Sequence, residues 1–247
     1  MWLEAGFWGL VAGGALVVGA AIAWLVKVPH VVVAGVMAFG SGVLISTLAF
    51  DLVDEAETTG GLGPTAIGLL AGATTYVAAN VLLSRRGAAR RKNAGDLQMS
   101  EEEMAGSGGA IAIGALLDGI PESVVLGMTL LGGGGVGVPV LAAIFISNLP
   151  EGLSSAAGMK AKGRTARYVF GVWGGIAVAS GLAGMCGALF LDGASPETVA
   201  VITSVAAGAI LAMVADTMIP EAFEKAHLFT GLITTLGFIA AFAISRG

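Results

Sequence analysis

Apolar residues run through this chain in blocks of about twenty, which is the length an α-helix needs to cross a bilayer. Cutting the sequence at charge clusters and turn residues predicts eight such helices, at 5–26, 31–53, 62–83, 108–131, 136–158, 168–191, 198–219 and 229–245. The connections are short, as at Lys27-Val28-Pro29-His30 and Gly132–Gly135, apart from one polar stretch at 84–107. That stretch carries a basic cluster from Arg85 to Lys92 and then Glu101-Glu102-Glu103, and reads as a mobile cytoplasmic loop with one marginal acidic helical turn. The predicted fold is all-α, a single polytopic transmembrane domain over residues 1–247.

Composition agrees with that reading. An apolar fraction of 56%, a charged fraction of 12% and a mean hydropathy of +0.90 exceed what a soluble domain of this length can bury. Forty glycines then read as packing surface, because small residues let membrane helices approach closely. The lone Cys186 reads as a small buried hydrophobe, and no basic region precedes the first apolar block, so that helix is expected to stay in the mature protein. No phosphate-binding Gly-x-x-x-x-Gly-Lys-Ser/Thr loop is present, which argues against a nucleotide-driven pump; neither enzyme activity nor nucleic-acid binding is expected.

Lysine and arginine collect on the cytoplasmic side of a membrane protein. With eight spans, Lys27, the Arg85–Lys92 cluster, the Lys160–Arg167 cluster and Lys225 all fall on one side, and only Arg246 falls on the other. The opposite loops carry Glu4, then Asp54, Glu55 and Glu57, then Asp192 and Glu197. Both termini are therefore expected outside, and the loop cations need no role beyond setting orientation.

Gly42 to Asp51 and Glu55-Ala56 in span 2 resembles Gly208 to Asp216 and Glu221-Ala222 in span 7. The two spans run in opposite directions, the mark of an inverted repeat, which in secondary transporters encloses a midplane site. Spans 4 and 5 carry a second pair of related patterns, Asp118-Gly119-Ile120-Pro121-Glu122 and Ser147-Asn148-Leu149-Pro150-Glu151, giving a three plus two plus three arrangement.

Carboxylates at that depth cost several kcal/mol unless paired, cation-bound or wet. Positions i and i+4 share a helix face, so Asp118 stacks with Glu122 and Ser147 with Glu151, with Asn148 beside them. Pro121 and Pro150 deprive the carbonyls of Leu117 and Ile146 of their usual donors. If the two kinked helices face each other, these oxygens form a cage suited to a divalent cation. No lysine or arginine is expected at that depth, so a metal ion or protons are expected to balance the acids. Helix packing with protonated acids, and an aspartate protease dyad drawn from Asp51, Asp118 and Asp216, are the competing readings.

Together the eight spans, the polar loop after the third, the inverted triplets and the paired Pro-Glu patterns resemble the ZIP (Zrt/Irt-like) divalent metal transporters, particularly their GufA-like prokaryotic branch. The family pattern His-Asn-x-Pro-Glu-Gly is matched by Ser147-Asn148-Leu149-Pro150-Glu151-Gly152. The resemblance implies a metal site of Asp118, Glu122, Ser147, Asn148 and Glu151, with Glu122 and Glu151 its firmest ligands. It also implies inward transport of a divalent metal by alternating access through a multi-pass cell membrane, and a homodimer. The metal is cargo; no cofactor is expected.

Departures from the family matter. Asp118 and Ser147 stand at histidine positions and Gly119 at an asparagine, and span 6 supplies no acid before Asp192, which makes a second bound metal doubtful. Oxygen-only sites favour harder ions than imidazole does, so zinc preference should weaken; zinc, the typical substrate of the family, remains the leading cargo, with manganese, iron or cadmium as alternatives. Asp51 near the acidic mouth, and Asp216 and Glu221 toward the basic end, are candidate pathway residues. His30 reads as structural, Asn80, Ser46 and Thr47 as helix–helix hydrogen-bond formers, and His227 as either an exposed loop histidine or, with Glu221 and Glu224, a ligand that passes metal to the cytoplasm. The alternative class is a membrane metal sensor or degenerate ZIP-like binding protein that no longer transports.

Overall fold

The computed structural model describes residues 1–92, 98–100, 102–131, 133 and 135–246. The centre of the predicted 84–107 loop, Glu101, and Gly132 and Gly134 of the glycine turn lie outside them. All regular structure among the described residues is helical. Helices α1 (Trp2–Leu25), α2 (His30–Thr47), α3 (Asp54–Gly60), α4 (Leu62–Leu83), α5 (Ser107–Met128), α6 (Val138–Ala161), α7 (Ala166–Leu191), α8 (Pro196–Met213), α9 (Ile219–Ala226) and α10 (Thr230–Arg246) follow in order.

Among the described residues seven continuous helical stretches are long and apolar enough to cross a membrane. This is a polytopic, membrane-embedded chain. The count differs from the expected eight because the last stretch, Pro196–Arg246, joins two predicted spans over 51 residues. Straight, it would be about 75 Å long, more than twice the hydrocarbon thickness. It contains a sharp turn at His227, with φ +45° and ψ −123°, where α9 ends.

Two helix groups emerge from the packing. Helices α1, α5, α6 and α7 associate closely; in the second group α2 pairs with α10 and α4 with α8, the two pairs being joined where α3 packs on α8 and α9 on α2, and the groups meet chiefly where α6 seats on α2 and, less extensively, where α5 meets α8. The prolyl helices α5 and α6 scarcely touch each other and are held side by side by α1 and α7. In lipid no hydrophobic force draws helices together, so van der Waals fit decides. Accordingly, Gly152 of α6 lies directly on the Leu16 backbone of α1, and Gly208 of α8 on the Leu69 backbone of α4. A methyl group at either position would strike backbone. Between the groups the closest glycine contact is looser: a Cβ at Gly40 would lie 3.2 Å from Ser147 Cα.

The two copies of the sequence repeat share local geometry. A π-helical segment, Leu48–Val53, joins α2 to α3 and carries Asp51; another, Val214–Met218, joins α8 to α9 and carries Asp216. Their packing is reciprocal: Gly42 of α2 meets Thr234 of α10, while Gly208 of α8 meets Leu69 of α4.

The basic segments gather at one end. Lys160 Nζ donates to the Trp24 carbonyl at 2.7 Å, Lys162 pairs with Glu103 at 3.1 Å, and Arg90 pairs with Glu224. At the other end Ser245 Oγ donates to Asp51 Oδ1 at 2.6 Å, and the Arg246 guanidinium lies over the Phe50 and Phe242 rings.

Candidate metal-cation site

Asp118, Glu122, Ser147, Asn148 and Glu151 all lie in buried positions on α5 and α6, each at most 4% exposed. Their polar atoms do not all converge. Ser147 Oγ turns back to the Ile144 carbonyl at 3.0 Å, and Asn148 Nδ2 donates to the Ala12 carbonyl of α1 at 3.1 Å, fastening α6 to its neighbour. What remains facing the centre is the three carboxylates.

The expectation that no lysine or arginine reaches these acids is wrong. Arg91 and Lys92, from the stretch after α4, are inserted between them. Arg91 grips Asp118 with two donors, Nε to Oδ2 at 3.0 Å and Nη2 to Oδ1 at 2.8 Å. Lys92 Nζ stands 3.3 Å from Asp118 Oδ2 and 2.9 Å from Glu151 Oε2. The bridge thus ties α5 to α6 through a segment belonging to neither. Among the described residues no three acidic, histidine or cysteine side chains are disposed around a common metal position. Glu122 completes the picture: 1% exposed, its Oε1 has no hydrogen-bond partner among the described residues.

The chain reaches this place by a defined route. α4 continues for one turn and breaks at Arg86 and Gly87, where φ of +96° at Gly87 reverses the backbone in a conformation that disfavours a side chain. Arg91 then meets a prepared cradle. Tyr76 and Asn80, four residues apart on one face of α4, bind it: Arg91 Nη2 donates to Tyr76 Oη and Nη1 to Asn80 Oδ1, both at 2.8 Å. Tyr76 Oη in turn donates to Asp118 Oδ1 at 2.7 Å. Gly114, one turn before Asp118, leaves the space the arginine fills; a Cβ there would lie 2.6 Å from Arg91 Cδ. Asn80 therefore serves the loop rather than a neighbouring helix. Gln98 Nε2 donates to the carbonyls of Arg91 at 2.9 Å and Ser155 at 3.0 Å, clamping the segment to α6.

Burial opposes a charge on either basic side chain, but the carboxylates outweigh it. Asp118 and Glu151 hold Lys92 above the usual lysine range, and Asp118 does the same for Arg91. Both cations are therefore charged at neutral pH. Farther out, Ser100 and Glu103 cap one another, Ser100 N–H to Glu103 Oε2 at 2.7 Å and Glu103 N–H to Ser100 Oγ at 3.2 Å. The Ser100 N–H, with Lys162 beside it, pulls the Glu103 carboxyl below the ordinary range. The described parts of the predicted mobile loop are thus docked at both ends.

The pathway candidates lie apart from this centre. Asp51 is at the acidic end, half-buried and bound by Ser245. Asp216 is exposed on its π-helical segment. Glu221 is 7% exposed and lines, with Lys92, His30, Ser154 and Lys225, a constriction of about 10 Å³ between the carboxylates and the basic end. That volume is about what one water needs. His227 is exposed, edge-on to Phe223.

Neither a protein-family model nor any curated protein matches this sequence, so the reading of the site rests on its own chemistry.

Proposed function

We propose that the protein is a ZIP-like secondary transporter that carries a divalent metal cation into the cytoplasm, captured here with its own loop in the cargo position. The observation that carries the reading is the charge arrangement. Arg91 and Lys92 bring two positive charges to Asp118 and Glu151, the charge of one divalent ion, while Glu122, one turn along α5 from Asp118, has a buried oxygen with no hydrogen-bond partner among the described residues. A permanent structural bridge has no use for that orphan, because a buried unsatisfied carboxylate oxygen costs free energy. A site that exchanges the loop for a metal does. Glu122 and Glu151 then act as the principal ligands and Asp118 as the residue released when Arg91 withdraws.

The architecture supports movement. Division of the last long stretch at the His227 turn would give eight spans, and the paired π-helical segments and reciprocal glycine contacts fit an inverted repeat of three plus two plus three. In such a repeat α6 on α2 and α5 on α8 are equivalent contacts, yet the first is the fuller. Unequal contacts belong to one of two alternate states. Tight glycine packing makes α1 with α6, α2 with α10 and α4 with α8 rigid units, and the α2–α6 seam is where they slide. Both termini face outward and the basic end inward, in a prokaryotic cell membrane. Zinc is the leading cargo; the all-oxygen donor set also admits manganese, iron and cadmium.

A second reading is favoured by the completeness of the Arg91 cradle: a non-transporting, degenerate carrier in which the bridge is permanent. Proteoliposomes containing a metal-sensitive dye separate the two. Saturable uptake that is abolished in Glu122→Ala and Glu151→Ala supports transport; binding without flux supports the degenerate carrier.

A further inference from the structure

A second basic feature lies outside the carboxylate centre. A cavity of about 470 Å³ opens where the end of α1, the turn into α2 and the end of α6 meet, lined among others by Ala23, Lys27, His30, Leu153, Ala157 and Lys160. Among the described residues no carboxylate lines it. Lys160 lies over the Trp24 ring, 5.2 Å from its centroid, in the way aromatic and basic side chains mark a membrane interface. α2 starts in the same wall with no acidic residue in its first turn and no side chain capping its N-terminal N–H groups, so its positive end also faces the space. Below the charges the walls are aliphatic, and Leu25, Val26, Val31 and Val32 beside the turn are 81%, 56%, 62% and 51% exposed.

We propose that this cavity binds one anionic phospholipid, its phosphate between Lys27, Lys160 and the α2 N-terminus and its acyl chains along the aliphatic wall. Cations alone would accept any phosphate; the apolar floor and the exposed aliphatic rim are what select a lipid over a free anion. Because α1 and α6 belong to one helix group and α2 to the other, the lipid spans the seam between them. This inference needs only membrane embedding and is independent of what the carrier transports.

Native mass spectrometry of the delipidated full chain, titrated with phosphatidylglycerol or phosphatidylcholine, tests it. One phosphatidylglycerol should be retained per chain in preference to phosphatidylcholine. Lys27→Ala with Lys160→Ala should weaken retention roughly thirtyfold, as expected for two interfacial cations. Lys27→Arg with Lys160→Arg should keep it, and Ala157→Phe, which fills the cavity without altering charge, should lose it. Arg85→Ala with Arg86→Ala, at the same end but outside the cavity, should behave as wild type. Equal retention of phosphatidylcholine, unchanged binding in Ala157→Phe, or displacement by excess inorganic phosphate would each overturn the proposal; the last would indicate a free-anion site.

Discussion

Lys92 Nζ lies 2.9 Å from Glu151 Oε2, a loop lysine on an intramembrane acid, with both side chains at most 5% exposed. This single contact converts a cluster of acids into a neutralised site and joins α6 to a segment that follows α4. Removing the lysine leaves the acid buried and unpaired. Lys92→Met should therefore destabilise the metal-free protein by about 3–5 kcal/mol. A divalent cation should restore melting temperature in the variant by more than it raises that of wild type, because it no longer competes with the loop. Equal metal stabilisation of both proteins would contradict competition.

Protonation does not release the loop at neutral pH. Lys92 is held above its ordinary value of 10.5 by Asp118 and Glu151, so its pairing contributes fully below that pH and is lost only as pH rises through the higher folded value. Melting curves of wild type and Lys92→Met should differ by a constant amount through the neutral range, the gap closing only in strong alkali. A gap that closes near neutrality would show that the lysine is already discharged.

The cradle for Arg91 can be closed from the other side. Gly114→Ala improves helix propensity but places a methyl group against the arginine stem. It should cost about 1–3 kcal/mol by displacing that side chain. In a double-mutant cycle with Arg91→Ala most of that cost should vanish, since the methyl group then has nothing to strike. Additive losses would place the Gly114 effect elsewhere.

Much of this organisation could be read from sequence, and the reason is physical. Blocks of about twenty apolar residues have one stable solution in lipid. Asp118 with Glu122, and Ser147 with Glu151, are set on common faces by helix period alone, and the Gly42 and Gly208 repeats foreshadow the reciprocal packing on α10 and α4. The partners of the acids were not legible. Arg91 and Lys92 sit in a polar stretch whose composition says only that it is solvated, and their insertion depends on a reversal at Gly87 and a space at Gly114 that are tertiary facts. One signal was present: Tyr76 and Asn80 place two polar groups on one face of α4, facing something. Likewise Ser147 and Asn148 share the acids' position but spend their hydrogen bonds on backbone, which side-chain spacing cannot reveal.

Glu122 and Glu151 should part company under the same substitution. Glu122→Gln removes a carboxylate outside the three ion pairs, so flux should disappear with little change in stability. Glu151→Gln should lose both, because Lys92 is left short of a counter-charge. Paired transport and melting measurements check this; a strongly destabilised Glu122→Gln would mean that Glu122 is a structural partner instead.

The most direct measurement is divalent-cation uptake by proteoliposomes of wild type and the Arg91→Ala, Lys92→Ala double variant, with zinc and manganese at limiting concentration. The account predicts saturable uptake in both, with the variant half-saturated at lower metal concentration because the tethered competitor is gone. No flux from either protein, with metal bound or not, would contradict it.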